Sequence, residues 1–411
     1  MSEPTAVGPR EAWRVLSSRQ FGPYFWGNAI SSSGSWFHNL AASLLVYRLT
    51  GSELLLGILS FSQFAAILLL SPWAGAAADR FDRRQLLMVS EIAAAVLSAV
   101  LAVLAFAGEA TEWVVIGFTL GLGIASAFAA PAQAALVAGL VPQRDLPTAV
   151  ALNSMTFNLA RAVGPALAAL AVVTVGIPAS FAINSVTYLA IVVALLVVSP
   201  RPQERAPSPK LRESLRLVRD DQRLLAYLLV VAAVGYASDP INTLAPAFAE
   251  AYGRNDTFAG FIVGVFGLGA VTAALVIAGR AAGSAHRMAV TLLLLSGGVI
   301  GFSLSPWLPL GLAFLFVAGF GYLSSNTSAT ARLQLGVAET QRGRIMALWS
   351  IAFLGARPVA SLVDGLIADL VSVRAAGVVL ALPALGGALF ILTRVRGASS
   401  RRRRASGHAR A

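Results

Sequence analysis

The chain has 411 residues, 57% of them hydrophobic and only 12% charged, where an ordinary soluble domain carries about 25% charge, so water is not its main solvent. Its formal charge of +12 does not point to nucleic acid, because the arginines fall at the ends of apolar runs and in a tail, not on a soluble module. With no cysteine there is no disulfide, thiolate nucleophile or thiolate metal site.

The sole lysine, Lys210, lies in SPKLRES, so a GxxxxGK[ST] phosphate loop is impossible. His38, His286 and His408 are too far apart in sequence for a metal cluster, and neither HExxH nor GxSxG occurs. No metal, no organic cofactor and no catalytic residue is expected, and an enzyme is disfavoured.

Apolar segments of about 20 residues, separated by short charged or Pro/Gly-containing joints, are the pattern of transmembrane helices. Twelve spans are predicted, at 21–46, 54–77, 86–107, 113–138, 149–175, 179–198, 224–249, 258–278, 289–304, 308–328, 345–368 and 375–393. The protein is therefore expected to be an all-α integral membrane protein. The first span follows an arm bearing Arg10, Arg14 and Arg19 and is too long for a signal-peptide core, so it reads as retained. It carries Asn28 and His38, the latter near an outer interface; the second span carries Gln63.

Between the second and third spans lies Gly75 to Arg84, GAAADRFDRR, with five charges in its last six residues. The arginines read as topological anchors, and Asp82-Arg-Arg-Gln85 is a capping-box pattern opening the third helix. Asp79 has no such local use. The third span contains Glu91, two turns inside, which is expected to snorkel to the loop arginines; the fourth contains Gln133.

In the fifth span Ser154, Asn158, Arg161, Pro165 and Ala168 share one stripe, with Gly164 beside it. In the eleventh, Ser350, Arg357, Ser361 and Asp364 form a comparable face. Arg161 and Arg357 each lie about 18 Å beyond the start of their helix, where an arginine costs about 2.5–3.5 kcal/mol and must face the interior. Either they meet an anionic substrate or a proton-exchanging carboxylate, or they bond helix carbonyls as interhelical glue. Asp239, just before Pro240 in the seventh span, is the first candidate for a buried group that can change its charge, followed by Glu91, Asp364 and His38. Asn242 and Asn326 are further uncharged polar groups within spans that should pair or line a cavity.

The arginine asymmetry sets orientation. One side holds 26 of the 31 basic residues, the other only Arg48, Arg254 and Arg374, so the crowded side, with both termini, is expected to be cytoplasmic. The polar joint 199–222 divides the spans six and six. A repeat agrees: Phe157, Arg161 and Val163 match Phe353, Arg357 and Val359 at one constant offset. The tail from Arg401, RRRRASGHAR, reads as a disordered basic segment that can touch anionic lipid.

Gly75, Asp79, Arg80, Arg83 and Arg84 match the GxLxDRxGRR signature that the major facilitator superfamily carries at this place; Ala77 replaces the Leu and Asp82 the second Gly. The stretch 130–176 resembles the bacterial branch containing enterobactin and macrolide exporters. Ala160-xxx-Gly164-Pro165-xx-Ala168-Ala169 resembles the antiporter motif GxxxGPxxGG, with only the Gly-Pro literal. The resemblance implies a major facilitator fold of two pseudo-symmetric six-helix halves, 1–198 and 223–394, joined by a cytoplasmic linker 199–222 and followed by a basic cytoplasmic tail 395–411. It implies a gating latch at Asp79, Arg80 and Arg83, with Arg342 and Arg344 as partners.

The function it implies is secondary active export across a bacterial plasma membrane, driven by proton antiport, of an amphipathic molecule such as a siderophore, macrolide or other secondary metabolite. The alternatives are uptake or flipping of a nutrient or lipid-like substrate, and a non-transporting sensor that keeps the fold. Expected partners are a small-molecule substrate and membrane lipids; no nucleic acid is expected, and the chain is expected to be a monomer.

Overall fold

A computed structural model describes residues 9–201, 211–277, 285–338 and 341–408. The side chains at 9, 154, 157–159, 161, 162, 165, 166, 211–213, 277, 285, 343 and 394–408 lie outside the described residues. Among the described residues there are fourteen α-helices and no strand: α1 Pro9–Leu16, α2 Phe21–Thr50, α3 Glu53–Arg80, α4 Arg83–Ala107, α5 Glu112–Leu140, α6 Leu146–Val197, α7 Leu211–Asp220, α8 Gln222–Thr243, α9 Ala245–Ala251, α10 Ala259–Ile277, α11 Ala285–Leu304, α12 Leu308–Leu335, α13 Arg342–Leu370 and α14 Val373–His408.

Ten helical segments among the described residues are long and apolar enough to cross a membrane, against twelve predicted spans. The difference has two local sources. α2 is 30 residues long but carries Ser31, Ser32, Ser33, Gly34 and Ser35 in mid-helix, which lowers its hydropathy. α6 runs for 52 residues through the predicted fifth and sixth spans, about 78 Å at helical rise against a hydrocarbon core of about 30 Å. Gly176 interrupts it with φ 86° and ψ 171°, a backbone region that only glycine occupies without strain. The break falls in the predicted joint.

Helix starts follow their capping residues. Ser52 accepts from Leu55 N–H, Asp82 from Gln85 N–H at 2.8 Å and Thr111 from Val114 N–H, each satisfying one of the unpaired donors of a first turn. The expected disorder of the tail is corrected in its backbone: α14 continues to His408 through the run of four arginines at 401–404, a residue of good helix propensity.

The chain divides into two compact units, Met1–Ser208 with Thr243–Gly264, and Pro209–Asn242 with Val265–Ala411. In the first, α2 packs on α6, α3 on α5, and α4 on both α5 and α6. The approach is close enough that a Cβ on Gly34 would fall into the Thr187 side chain of α6. Small residues at such crossings let two backbones approach, the main source of helix association in lipid. In the second unit α11 packs on α12 and α14, and α10 meets α12 where a Cβ on Gly319 would strike the Phe266 carbonyl. Leu69, Trp73, Val103, Phe106 and Leu196 point outward from the spans, where lipid takes the place of water as solvent.

Candidate functional site

In the second unit α8 and α13 run close together at Gly235, where a Cβ would lie 3.3 Å from the Phe353 carbonyl oxygen. One turn further along each helix stand Asp239 and Arg357, and Arg357 Nε donates to Asp239 Oδ1 at 3.1 Å. The Asp239 side chain is 0% exposed and that of Arg357 11%. Pro240 and Pro358 follow the two charged residues directly. Each lacks an N–H and frees a carbonyl in the preceding turn, so the pair sits among polar backbone in an otherwise apolar interior.

Asp364, two turns beyond Arg357 on α13, is fully buried; its carboxylate lies near the Gly365 N–H without a well-formed hydrogen bond to it. It lies against the Asp239 carboxyl group. Two buried carboxylates therefore stand beside one guanidinium, so that with both ionised these three groups carry a net charge of −1. Sequence spacing named all three residues; only the fold puts them in one place.

The first unit gathers uncharged polar groups. Gln133 Nε2 on α5 donates to Asn28 Oδ1 on α2, and Asn28 Nδ2 donates to Asn153 Oδ1 on α6 at 3.1 Å. Tyr24 Oη donates to the same Asn153 oxygen at 3.3 Å. Asn153 escaped the sequence reading, although it adjoins the polar stripe of its helix. Gln63 stands apart and donates to Asn39 Oδ1 at 3.1 Å.

Two expectations are corrected here. Glu91 does not snorkel to the loop: it is buried and accepts from Ser31 Oγ at 3.1 Å, because α2 crosses α4 at that level with serines. His38 is interior, not interfacial; its Nε2 lies 3.0 Å from Thr119 Oγ1 and its ring packs against Phe181.

In the latch-like segment, Gly75 and Asp79 are half-buried on the last turns of α3, and Arg80, Phe81 and Asp82 are exposed. Arg84 reaches the end of α6, donating from Nε to the Leu195 carbonyl and from Nη2 to the Leu196 carbonyl at 3.2 Å. A cation on helix C-terminal carbonyls is favoured by their partial negative charge. Arg83 is half-buried beside it.

Asn158, Arg161 and Pro165 lie outside the described side chains. Of the antiporter-like stretch on α6, Gly164 faces the Trp36 ring and Ala169 abuts Gly260, each so closely that a Cβ on the glycine would overlap its neighbour. Asn242 is spent locally, its Nδ2 donating to the Ser238 carbonyl at 2.7 Å. Asn326 on α12 keeps a buried Oδ1 without a hydrogen-bond partner, an open acceptor in the second unit.

At the opposite end of the first unit from Arg84, sequence reasoning missed a clasp. Arg48 donates from Nε and Nη2 to the two oxygens of Asp256, the second at 3.1 Å, and Tyr47 Oη donates to Glu250. These contacts tie the end of α2 to Thr243–Gly264, where Thr243 Oγ1 also donates to Ser60 Oγ at 3.1 Å. The hydrogen bond to Asp256 raises the affinity of the Arg48 guanidinium for its proton, and burial, then the Glu250 carboxylate, pushes the Tyr47 phenol up. Arg48 had counted only as one of few basic residues on its side; nothing in the sequence pairs it with a residue 208 positions away.

A family model described as transmembrane secretion effector matches residues 11–410. Among curated proteins, the staphyloferrin A transporter of Staphylococcus aureus is 26% identical over 254 residues, 59% of this chain and 63% of that protein; the chain thus spans less than two thirds of that relative. Macrolide efflux protein A of Streptococcus pyogenes is 24% identical over 85% of this chain and 89% of its own length. The enterobactin exporter of Shigella boydii is 26% identical over 67% of this chain and 68% of that protein. Of solved structures, a bacterial homolog of the human lysosomal transporter Spinster, inward-facing and occupied, covers 95% of this chain and 98% of its own at TM-score 0.74 and 14% identity. A POT family transporter in complex with a thioalcohol-conjugated peptide covers 92% and 96% at TM-score 0.73 and 13% identity.

Proposed function

The chain belongs to the transmembrane secretion effector family of the major facilitator superfamily, whose members are membrane transporters and not enzymes, and on that premise we propose that it is a proton-coupled secondary active exporter of an amphipathic small molecule. The observation that carries the coupling is the Asp239–Arg357 pair with the buried Asp364 beside it. With both carboxylates ionised, Asp239, Asp364 and Arg357 together carry a net charge of −1 in a buried position; a proton on Asp364 brings that sum to zero. Protonation of Asp239 instead loosens Arg357 and makes its guanidinium available to a polar group on the cargo. Export is favoured over uptake by two relatives, a macrolide efflux protein and an enterobactin exporter, while the staphyloferrin A transporter supports the cargo class.

The same reading places twelve crossings in two six-helix halves, 1–198 and 223–394, with 199–222 and both termini on the cytoplasmic face of a bacterial plasma membrane. The arginine asymmetry and the internal repeat support it. Asp79, Arg80 and Arg83 act in it as a cytoplasmic latch, and Arg48–Asp256 with Tyr47–Glu250 as an outer clasp. The polar group of Tyr24, Asn28, Gln133 and Asn153 supplies neutral hydrogen bonds to the cargo. Arg161 and Asn158 of the same helix are assigned to the cargo as well, on the ground of their sequence spacing, and the Gly164-Pro165 stretch to the close helix crossing that the motion needs.

The test is reconstitution into liposomes with an imposed pH gradient, following a siderophore and a macrolide together with an internal pH indicator. Cargo movement that dissipates the gradient is expected. Movement indifferent to the gradient overturns proton coupling, and immobility of both cargo classes overturns the export reading.

A further inference from the structure

The second unit contains a crevice of about 670 Å3 walled by α8, α11 and α14. It begins at Gln222 and Arg223 in the first turn of α8 and ends at Tyr236, passing the buried Met288 and Leu292 of α11. On the α14 side the wall is low, since a Cβ on Gly386 or Gly387 meets nothing within 4 Å. Nearly every side chain along it is aliphatic or aromatic; the polar groups are at its mouth, with the Tyr236 and Tyr227 hydroxyls deeper.

We propose that this crevice is a phospholipid site, holding one acyl chain of an anionic lipid with its phosphate at Arg223. Two measures of the site match that occupant and no compact water-soluble one. From Gln222 to Tyr236 the helix rises about 21 Å, which spans one leaflet from the headgroup zone to near the midplane of a hydrocarbon core of about 30 Å. The charge is at the correct end: Arg223 is exposed there, and Arg216 and Arg219 are exposed on the adjoining α7. Of the acids in that turn, Asp221 accepts from the Arg223 backbone N–H at 2.8 Å and caps the helix, leaving Asp220 as the opposing charge. The amphipathic α7, with Ser214 and Val218 buried and Arg216 and Arg219 outward, has the pattern of an interfacial helix. The proposal does not depend on the direction of transport or its coupling.

Native mass spectrometry of the detergent-purified protein titrated with dioleoyl phosphatidylglycerol or dioleoyl phosphatidylcholine tests it. One tight phosphatidylglycerol per chain is expected, preferred over phosphatidylcholine by about fivefold or more, with Arg223→Ala reducing the preference by about fivefold. Gly387→Leu, whose Cβ would stand in open space in the crevice wall, should abolish the first bound lipid. Because that variant can fail to fold, the wild-type chain is also labelled with phosphatidylglycerol carrying a diazirine on its acyl chain; adducts should concentrate on peptides containing Tyr236 or Phe390. Graded binding without a tight first step, equal retention of the two lipids, or labelling spread evenly over the outward-facing helices would overturn the site.

Discussion

Arg357 Nε and Asp239 Oδ1 are 3.1 Å apart, in a unit interior where Asp239 is wholly shielded. The pair joins α8 to α13 one turn beyond the Gly235 crossing. Arg357→Ala removes the guanidinium paired with the buried Asp239 carboxylate, and a loss of about 3–5 kcal/mol is expected for breaking such a pair from one side. Pairing it with Asp239→Asn should recover part of that loss, because the stranded charge is then gone. Thermal unfolding in detergent of both variants checks this; equal loss in the single and double variants would contradict the pairing.

Asp364→Asn replaces the buried carboxylate by a neutral amide of the same shape. The fold should persist, since an amide can still accept from the Gly365 N–H and donate to the Asp239 carboxylate beside it. Gradient-driven cargo movement should fall by at least tenfold while cargo exchange at equilibrium continues. Loss of both activities would assign Asp364 to binding and not to coupling.

The Arg48–Asp256 clasp lies at a water-exposed end of the first unit, with side-chain exposures of 45% and 20%. Such pairs contribute about 0.2–1 kcal/mol, enough to bias a conformational equilibrium without locking it. Because the chain has no cysteine, Ser60→Cys, placed where Ser60 meets Thr243, is a clean probe. Arg48→Ala should raise its rate of modification by a water-soluble maleimide about two- to fivefold; an unchanged rate would remove the clasp from gating.

Asp79→Asn tests the latch. The variant should insert normally and shift labelling of single cysteines at the two membrane faces in opposite directions. Asp82→Ala, by contrast, should cost about 1 kcal/mol of stability through the lost helix cap and leave that balance unchanged. Identical behaviour of the two variants would dissolve the distinction between them.

Gly34→Val drives a branched side chain into Thr187. Overpacking of about 1–3 kcal/mol is expected, with recovery when Thr187 is changed to Gly. Unfolding midpoints of the single and double variants measure it, and the absence of recovery would locate the strain elsewhere.

Most of the long helices, the Asp82 cap and the interior placement of Arg357, Asp239 and Asp364 were legible in the sequence. Hydropathy acts locally along the chain, and a charge within an apolar span has few tolerable positions. The joint near 176 was equally readable, from the length of helix a bilayer can accept. What the sequence did not carry was partnership. Whether Glu91 reaches the loop arginines or Ser31, whether His38 faces the interface or Thr119, and whether Arg48 stands alone or holds Asp256 depend on which helices cross and at what height. Those crossings are set by glycine and alanine contacts between segments distant in the chain, such as Gly34 with Thr187 and Gly260 with Ala169. Hydropathy is a property of each segment alone, whereas a crossing is a property of two, so the tertiary structure alone decides which charges meet.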